Sequence, residues 1–237
     1  MKEEVKENSL HPTKWKLFWR IQKECWRRMV TPYLMYLFMG ILMLATQAIT
    51  IKALQIVLGS VCLLGGMAFN AHLLYSYGSM HFDAYLTGCL HRKNAAYGIV
   101  SGGDHRVERE YRWWKGFYIG FLIGIPVIIL GLLAGKFYGQ TVGSAAGIFL
   151  IMFAGWAIIP LSWLHVSFYW SLLMIFIPVI VSGVFYIFGA YREKQKKEMQ
   201  AKRAEAVAAA AVAAKAELKE QTEEQRRKTL QSKKKKK

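Results

Sequence analysis

Long apolar runs separated by charged segments dominate the pattern of this chain. Five apolar segments run at about 30–51, 53–77, 116–135, 145–163 and 166–190. Each is close to the ~20 residues that an α-helix needs to cross the hydrocarbon core of a bilayer. The pattern therefore predicts an all-α fold, a polytopic integral membrane helix bundle with five apolar helices over residues 30–190. Pro32 predicts that the first of these helices starts near residue 30.

The charged residues are confined to three segments. All 15 acidic residues and 30 of the 32 Lys and Arg residues fall within 1–29, 78–115 and 191–237. Lys and Arg are concentrated on the cytoplasmic side of membrane proteins, so we expect all three segments there. The net charge of +17 then indicates attraction to a lipid bilayer with anionic headgroups. We expect a multi-pass protein of the cell membrane, specifically a prokaryotic plasma membrane.

This orientation raises a parity problem after residue 115. Three crossings by the third, fourth and fifth segments would place 191–237 outside the cell. Either segment 145–163 is a re-entrant or interfacial helix, an alternative favoured by Gly147, Gly155 and Pro160, or all five segments cross and one charged flank breaks the rule. The sequence thus predicts four or five full crossings, and we expect a cytoplasmic C-terminus.

The N-terminal segment, 1–29, predicts a basic amphipathic helix in the membrane interface. From Thr13, apolar side chains recur every three or four residues, and Lys and Arg occupy the other faces. Trp and Tyr are typical of the headgroup region. Trp15, Trp19 and Trp26 are therefore predicted to lie at the interface, as are Trp113 and Trp114, which with Lys115 precede the third apolar segment. The alternative is that the aromatic residues pack on the cytoplasmic face of the bundle.

The polar loop 78–115 holds the residue types suited to a site. His, Cys and Asp bind metals, and a weak candidate set consists of His81, Asp83, Cys89 and His91. Such residues two apart also arise by chance in a polar loop. The favoured interpretation is a solvated linker with a short helix near 82–93 and a second from about Asp104, its N-cap. We expect no catalytic residues, no metal and no cofactor.

Glycines at regular spacing mark the third apolar segment. Side chains four residues apart share one face of a helix, and small ones let another helix approach closely. The predicted helix-packing residues are Gly116, Gly120, Gly124, Gly131 and Gly135. They suit either packing within the chain, which we favour, or a homo-oligomer.

The C-terminal segment, 191–237, predicts a solvated, charged helix rich in Ala, Lys and Glu. It lacks a leucine or isoleucine heptad, so any coiled-coil signal is weak. The last five residues are lysines, which we interpret as a disordered tip. This basic tip suits several partners, namely anionic lipid, ribosomal RNA or another nucleic acid, and an acidic protein. The sequence does not choose among them.

Three classes of function fit these features. The first is a non-enzymatic scaffold, regulatory or accessory membrane protein that acts through its basic cytoplasmic segments. The second is a permease or transport subunit for a neutral solute, and the third is a membrane enzyme that uses the 78–115 loop. Asp, Glu, Lys and Arg are absent from the apolar segments, whereas ion-coupled transporters place such groups at membrane depth. We favour the first class.

Overall fold

The computed structural model describes residues 14–97, 106–137, 139–163 and 176–234. Within these ranges it consists of five α-helices and one short 3₁₀ helix, with no β-strand. All five α-helices are long and apolar enough to cross a membrane. The predicted all-α class and its five apolar helices are therefore confirmed.

The helices follow one another along the chain with short connections where the structure describes them. Their bounds are α1 Lys14–Thr46, α2 Lys52–Ala96, the 3₁₀ helix Val107–Arg109, α3 Trp114–Lys136, α4 Thr141–Trp163 and α5 Phe176–Lys234. The predicted start of the fifth apolar segment, near residue 166, lies outside the described residues.

Helix α1 differs from the expected start near residue 30. It is unbroken over 33 residues, and Pro32 lies in its interior. At 1.5 Å per residue α1 is about 50 Å long, well beyond the ~30 Å of bilayer hydrocarbon. Pro32 is buried, and an apolar environment offers no water to a broken helix, so the helix continues past the missing N–H.

The polar loop also differs from the expectation. The predicted short helix near 82–93 is wrong as a separate element, because α2 runs through it to Ala96. The second predicted helix is reduced to the 3₁₀ turn Val107–Arg109, since Arg106 and Glu110 on either side are extended. Its predicted N-cap, Asp104, lies outside the described residues.

A tight hairpin joins α1 to α2. Three successive turn hydrogen bonds run from Gln47 N to Leu44 O, from Ala48 N to Ala45 O and from Ile49 N to Thr46 O, at 3.0, 3.2 and 3.1 Å. So short a connection makes the two helices antiparallel neighbours. At the other end of the pair, the polar parts of α1 and α2 are therefore brought to the same level.

The core of the bundle lies along one side of α1. A buried stripe at spacings of three, four and seven residues packs against α2, α3 and α4, and it consists of Ile21, Cys25, Met29, Tyr36, Met39 and Met43. The closest approach is to α4, where a Cβ on Gly40 would meet the carbonyl of Met152. At Gly155, on the opposing helix, a Cβ would lie 3.0 Å from the carbonyl oxygen of Gly40. Glycine at both positions permits this contact between backbones.

The chain divides into two compact units, Met1–Arg192 and Glu193–Lys237. In the second unit, every residue from 198 to 219 is exposed. Over this range the second unit is thus a solvated helix without a core of its own.

Candidate functional site

Glu24 is a buried carboxylate on the polar part of α1. Only 6% of the residue is exposed, although Lys23 and Trp26 beside it face outward. Arg28, one turn later, donates from Nε to Glu24 Oε1 at 2.9 Å. The acid-first spacing of four residues favours this pair on a helix, and the guanidinium stabilises the charged form of the buried carboxylate.

His81 on α2 faces the same carboxylate. Its Nε2 lies 4.0 Å from Glu24 Oε1, and its Nδ1 is hydrogen-bonded to the hydroxyl of Tyr186 at 2.8 Å. His81 is 2% exposed and Tyr186 is fully buried. The four side chains therefore form a continuous line from Arg28 through Glu24 and His81 to Tyr186, which connects α1, α2 and α5.

Aromatic rings enclose this line. Tyr111 stacks on Tyr186 with the ring centroids 5.4 Å apart and the planes 13° from parallel. The Arg28 guanidinium lies over the ring of Tyr77, 4.8 Å from its centroid, a cation–π contact. Burial raises the pKa of Tyr111. The rings cover part of the line and lower its exposure to water, which strengthens the interactions among its groups.

Lys115, at the start of α3, is the second buried charge. It is 0% exposed, and its Nζ donates to the carbonyl oxygens of Glu108 and Glu110, both at 2.6 Å. It lies within electrostatic range of Glu24 and Cys25 on α1. Lys115 is buried in this way because the chain before α3 folds back over its ammonium group.

We call Glu24, Arg28, His81, Lys115 and Tyr186 the polar cluster. They come from four helices and meet just beyond the apolar segments of α1, α2 and α3. An unpaired buried charge would cost several kcal/mol, so the arrangement depends on the pairing of Glu24 with Arg28 and on the carbonyl oxygens that accept from Lys115. Its chemical capacity is to hold four helices in one register and to bind a proton at the acid–imidazole pair.

The proposed metal ligands are not brought together. His81 belongs to the polar cluster, whereas Cys89 Sγ lies 3.4 Å from Arg92 Nη2 at a more exposed position. Asp83 is exposed and His91 half-buried on the same helix. Residues 81 and 83 are about 200° apart around α2. Among the described residues, no group of three or more His, Cys, Asp or Glu side chains is placed to hold a metal ion.

The glycines of α3 occupy different environments. A Cβ on Gly116 would lie 2.6 Å from Tyr186 Cβ, and one on Gly120 would lie 2.6 Å from the carbonyl oxygen of Pro178. Gly124 is buried and lines a small crevice, and Gly131 is half-buried. A Cβ on Gly135 would meet open space. Close packing against α5 within the chain thus involves the first part of the stripe.

The tryptophans predicted at the interface fall into two groups. Trp15, Trp19, Trp26 and Trp113 are exposed, and the Trp15 and Trp19 rings meet edge to face at 5.7 Å between centroids. Trp114 instead packs against the core of the bundle. On α1 the exposed tryptophans lie on a different side from the buried Ile21, Glu24 and Cys25.

The polar cluster was not predicted from the sequence, although residue spacing on α1 indicates part of it. The spacing of Glu24 and Arg28 indicates a helical ion pair, and Ile21, Cys25 and Met29 mark the face on which Glu24 lies. Tyr186, more than 100 positions further along the chain, carries no local signal that it meets His81.

Comparison with known proteins adds no family or relative: no protein-family model matches the chain, and no curated protein or solved structure is detectably similar to it.

Proposed function

We propose that the chain is a multi-pass protein of the cell membrane that serves as a non-enzymatic scaffold or accessory protein. Membrane embedding is supported by the large apolar side chains that the helices expose. Examples on separate helices are Leu34, Leu64, Leu132 and Phe149. Such surfaces are costly in water and suit contact with lipid. The basic segments, 1–29, 78–115 and 191–237, face the cytoplasm in this proposal.

We further propose four full crossings, with α4 as the helix that does not cross. Support comes from Trp163 at the end of α4, whose ring lies where a Cβ on Gly59 would be. Met43 reaches the same place, with its Cε 3.3 Å from that Cβ position. Met43 and Gly59 belong to the hairpin end of α1 and α2, opposite the polar cluster. Since α4 starts after α3 has run away from the cluster, we infer that the start of α4 also lies toward the hairpin end, on the same side as its end.

The observation that carries the scaffold function is the continuity of α5. A single helix runs from Phe176 to Lys234, and its first part places Tyr186 in the polar cluster. The helical part beyond Arg192 is about 60 Å long at 1.5 Å per residue. Its exposed, charged surface is suited to binding a partner rather than to packing within the chain.

Two kinds of partner fit the basic segments. Anionic lipid headgroups suit the exposed Trp15 and Trp19 with the Lys and Arg residues around them, each basic residue contributing about 1 kcal/mol near an anionic surface. A cytoplasmic protein partner suits the C-terminal helix. Ribosomal RNA is a further partner that we propose for the lysine tip.

Crosslinking from the C-terminal helix tests this function. A photoreactive amino acid at Ala209, in cells that express the full chain, should give adducts of discrete size that contain a second protein. The matched control is the same amino acid at Leu132, which is exposed on α3 and should give lipid adducts. If Ala209 also gives no protein adduct, the tail does not present a partner and the scaffold proposal fails.

A second candidate, a permease or transport subunit for a neutral solute, is favoured by one observation. A small apolar crevice is lined by Tyr36, Ile123, Trp156 and Pro178, among others. The hydroxyl of Tyr36 is buried and has no hydrogen-bond partner among the described residues. Proteoliposomes challenged with glycerol or urea test this candidate by light scattering. Entry rates equal to those of protein-free liposomes would eliminate it for these solutes.

A further inference from the structure

The eight residues before α3, 106–113, form a strap across the polar cluster. Only the turn Val107–Arg109 is helical, and its bonds are Arg109 N to Arg106 O at 2.9 Å and Glu110 N to Val107 O at 3.3 Å. The turn packs against both α1 and α2. With so little secondary structure, the position of the strap depends on its side-chain attachments.

The inner face of the strap is attached to the cluster itself. Lys115 Nζ bonds the carbonyl oxygens of Glu108 and Glu110, and the ring of Tyr111 lies on that of Tyr186. Cys25 on α1, the helix against which the turn of the strap packs, is 1% exposed and interacts electrostatically with Lys115. Cys25 therefore reports whether the strap is closed.

The outer attachment is an ion pair near the surface. Arg92 Nη1 donates to Glu110 Oε1 at 2.6 Å, and 44% of the Arg92 side chain is exposed against 10% for Glu110. An exposed guanidinium is accessible to salt and to competing anions. The pair links the strap to the polar end of α2, and solvent reaches it through the exposed Arg92 side chain.

We propose that the strap is a releasable latch, which opens when the Arg92–Glu110 pair is broken and admits water to the polar cluster. Release separates Tyr111 from Tyr186 and so removes a contact between the 78–115 loop and α5. The latch couples the charge state of the cytoplasmic loop to the packing of the bundle. This inference goes beyond the scaffold function and does not depend on the identity of a partner.

The reaction rate of the Cys25 thiol tests the latch. The full chain, purified in detergent and carrying Cys62→Ser and Cys89→Ser, retains Cys25 as its one thiol and is treated with a small water-soluble maleimide at fixed pH. Glu110→Gln should raise the rate about tenfold, as expected for the loss of one charge-assisted hydrogen bond. Higher ionic strength should raise the rate of the parent but not that of Glu110→Gln.

Exchange of the two charges provides the rescue. The double variant Arg92→Glu with Glu110→Arg restores an ion pair and should return the rate toward that of the parent. Glu198→Gln, which removes an exposed carboxylate paired with Lys194 at 4.0 Å, should leave the rate unchanged. The proposal would be overturned if Cys25 reacted at the same rate in Glu110→Gln and in the parent at both salt concentrations.

A second reporter separates local opening from general loosening. Ala154 on α4 is buried in a different cluster, with Val127 and Leu150. In a chain carrying Ala154→Cys with Cys25, Cys62 and Cys89 replaced by Ser, Glu110→Gln should not change the thiol reaction rate. An equal rise at Ala154→Cys and Cys25 would show that the variant loosens the whole bundle, and the latch would be rejected.

Discussion

Glu24 Oε1 on α1 lies 4.0 Å from His81 Nε2 on α2, and this pair is the centre of the polar cluster. Both residues are almost completely buried, and each has a further partner at hydrogen-bond distance, Arg28 for Glu24 and Tyr186 for His81. The relationship links α1, α2 and α5 at the polar end of the bundle. Helices that apolar packing alone would leave free to slide are fixed in register by directional contacts.

Replacement of Glu24 by Gln should destabilise the bundle strongly. The amide oxygen of Gln can still accept from Arg28, but the substitution removes the negative charge that pairs with the guanidinium, at a cost of about 1–3 kcal/mol. Thermal unfolding in detergent should show the midpoint of Glu24→Gln several degrees below that of the parent. The matched control, Glu198→Gln, removes an exposed charge, and its free energy of unfolding should stay within about 0.5 kcal/mol of the parent's. Equal midpoints for the two variants would contradict the buried pairing.

The hydroxyl of Tyr186 should make a smaller, measurable contribution. Tyr186→Phe keeps the stacked ring and removes the 2.8 Å hydrogen bond to His81 Nδ1, at a cost of about 1–2 kcal/mol. Tyr191→Phe, at an exposed position one and a half turns later on the same helix, should be neutral. The unfolding midpoints of the two variants are measured in detergent. A midpoint of Tyr186→Phe equal to that of the parent would mean that the hydroxyl is not held by His81.

Lys115→Met should release the strap. The substitution leaves the carbonyl oxygens of Glu108 and Glu110 without their shared donor, so the chain around Arg106 and Arg109 should become accessible to protease. Limited trypsin digestion should cut this segment faster in Lys115→Met than in the parent. Lys136→Met, which removes an exposed lysine at the other end of α3, serves as the control. Indistinguishable cleavage in both variants would count against the role of Lys115.

Gly120→Leu should be more disruptive than Gly135→Leu. At Gly120 a new side chain would meet the backbone of Pro178 and Val179, which lies 2.6 Å from the Cβ position, whereas Gly135 has open space there. Overpacking of this kind typically costs about 1–3 kcal/mol, and a rigid backbone neighbour favours the upper end. The unfolding midpoint in detergent measures the difference. A Gly135→Leu variant as unstable as Gly120→Leu would indicate that the stripe is used between chains.

The apolar pattern predicted the helices because each is set by a long local run of side chains. Its limits are visible at α1 and α2, which continue well beyond their apolar segments. At α1 the buried stripe through Ile21 and Cys25 extends the packed face past Met29, so tertiary packing rather than membrane span sets the length. Patterns of charge locate polar segments but do not show which charges are buried. For Lys115 that outcome depends on carbonyl groups of the strap, which sequence spacing does not reveal.

The predicted site residues also differ in how well the sequence identified their surroundings. Gly116 and Gly120 were identifiable from spacing because one helix face needs small residues wherever another backbone approaches. The four metal candidates were suggested by residue type alone, and continuation of α2 through the loop separates them along and around the helix. His81 was selected as a metal ligand, whereas its neighbours in space are Glu24 and Tyr186.

Single-cysteine labelling in intact cells tests the four-crossing topology most directly. In a chain without Cys25, Cys62 and Cys89, Gln47→Cys lies in the α1–α2 hairpin and should react with a membrane-impermeant maleimide. Ser232→Cys, near the end of α5, should react only after the cells are permeabilised. That result places the hairpin outside and the C-terminal helix in the cytoplasm, with α4 not crossing. Labelling of Ser232→Cys in intact cells would instead show five full crossings and contradict the account.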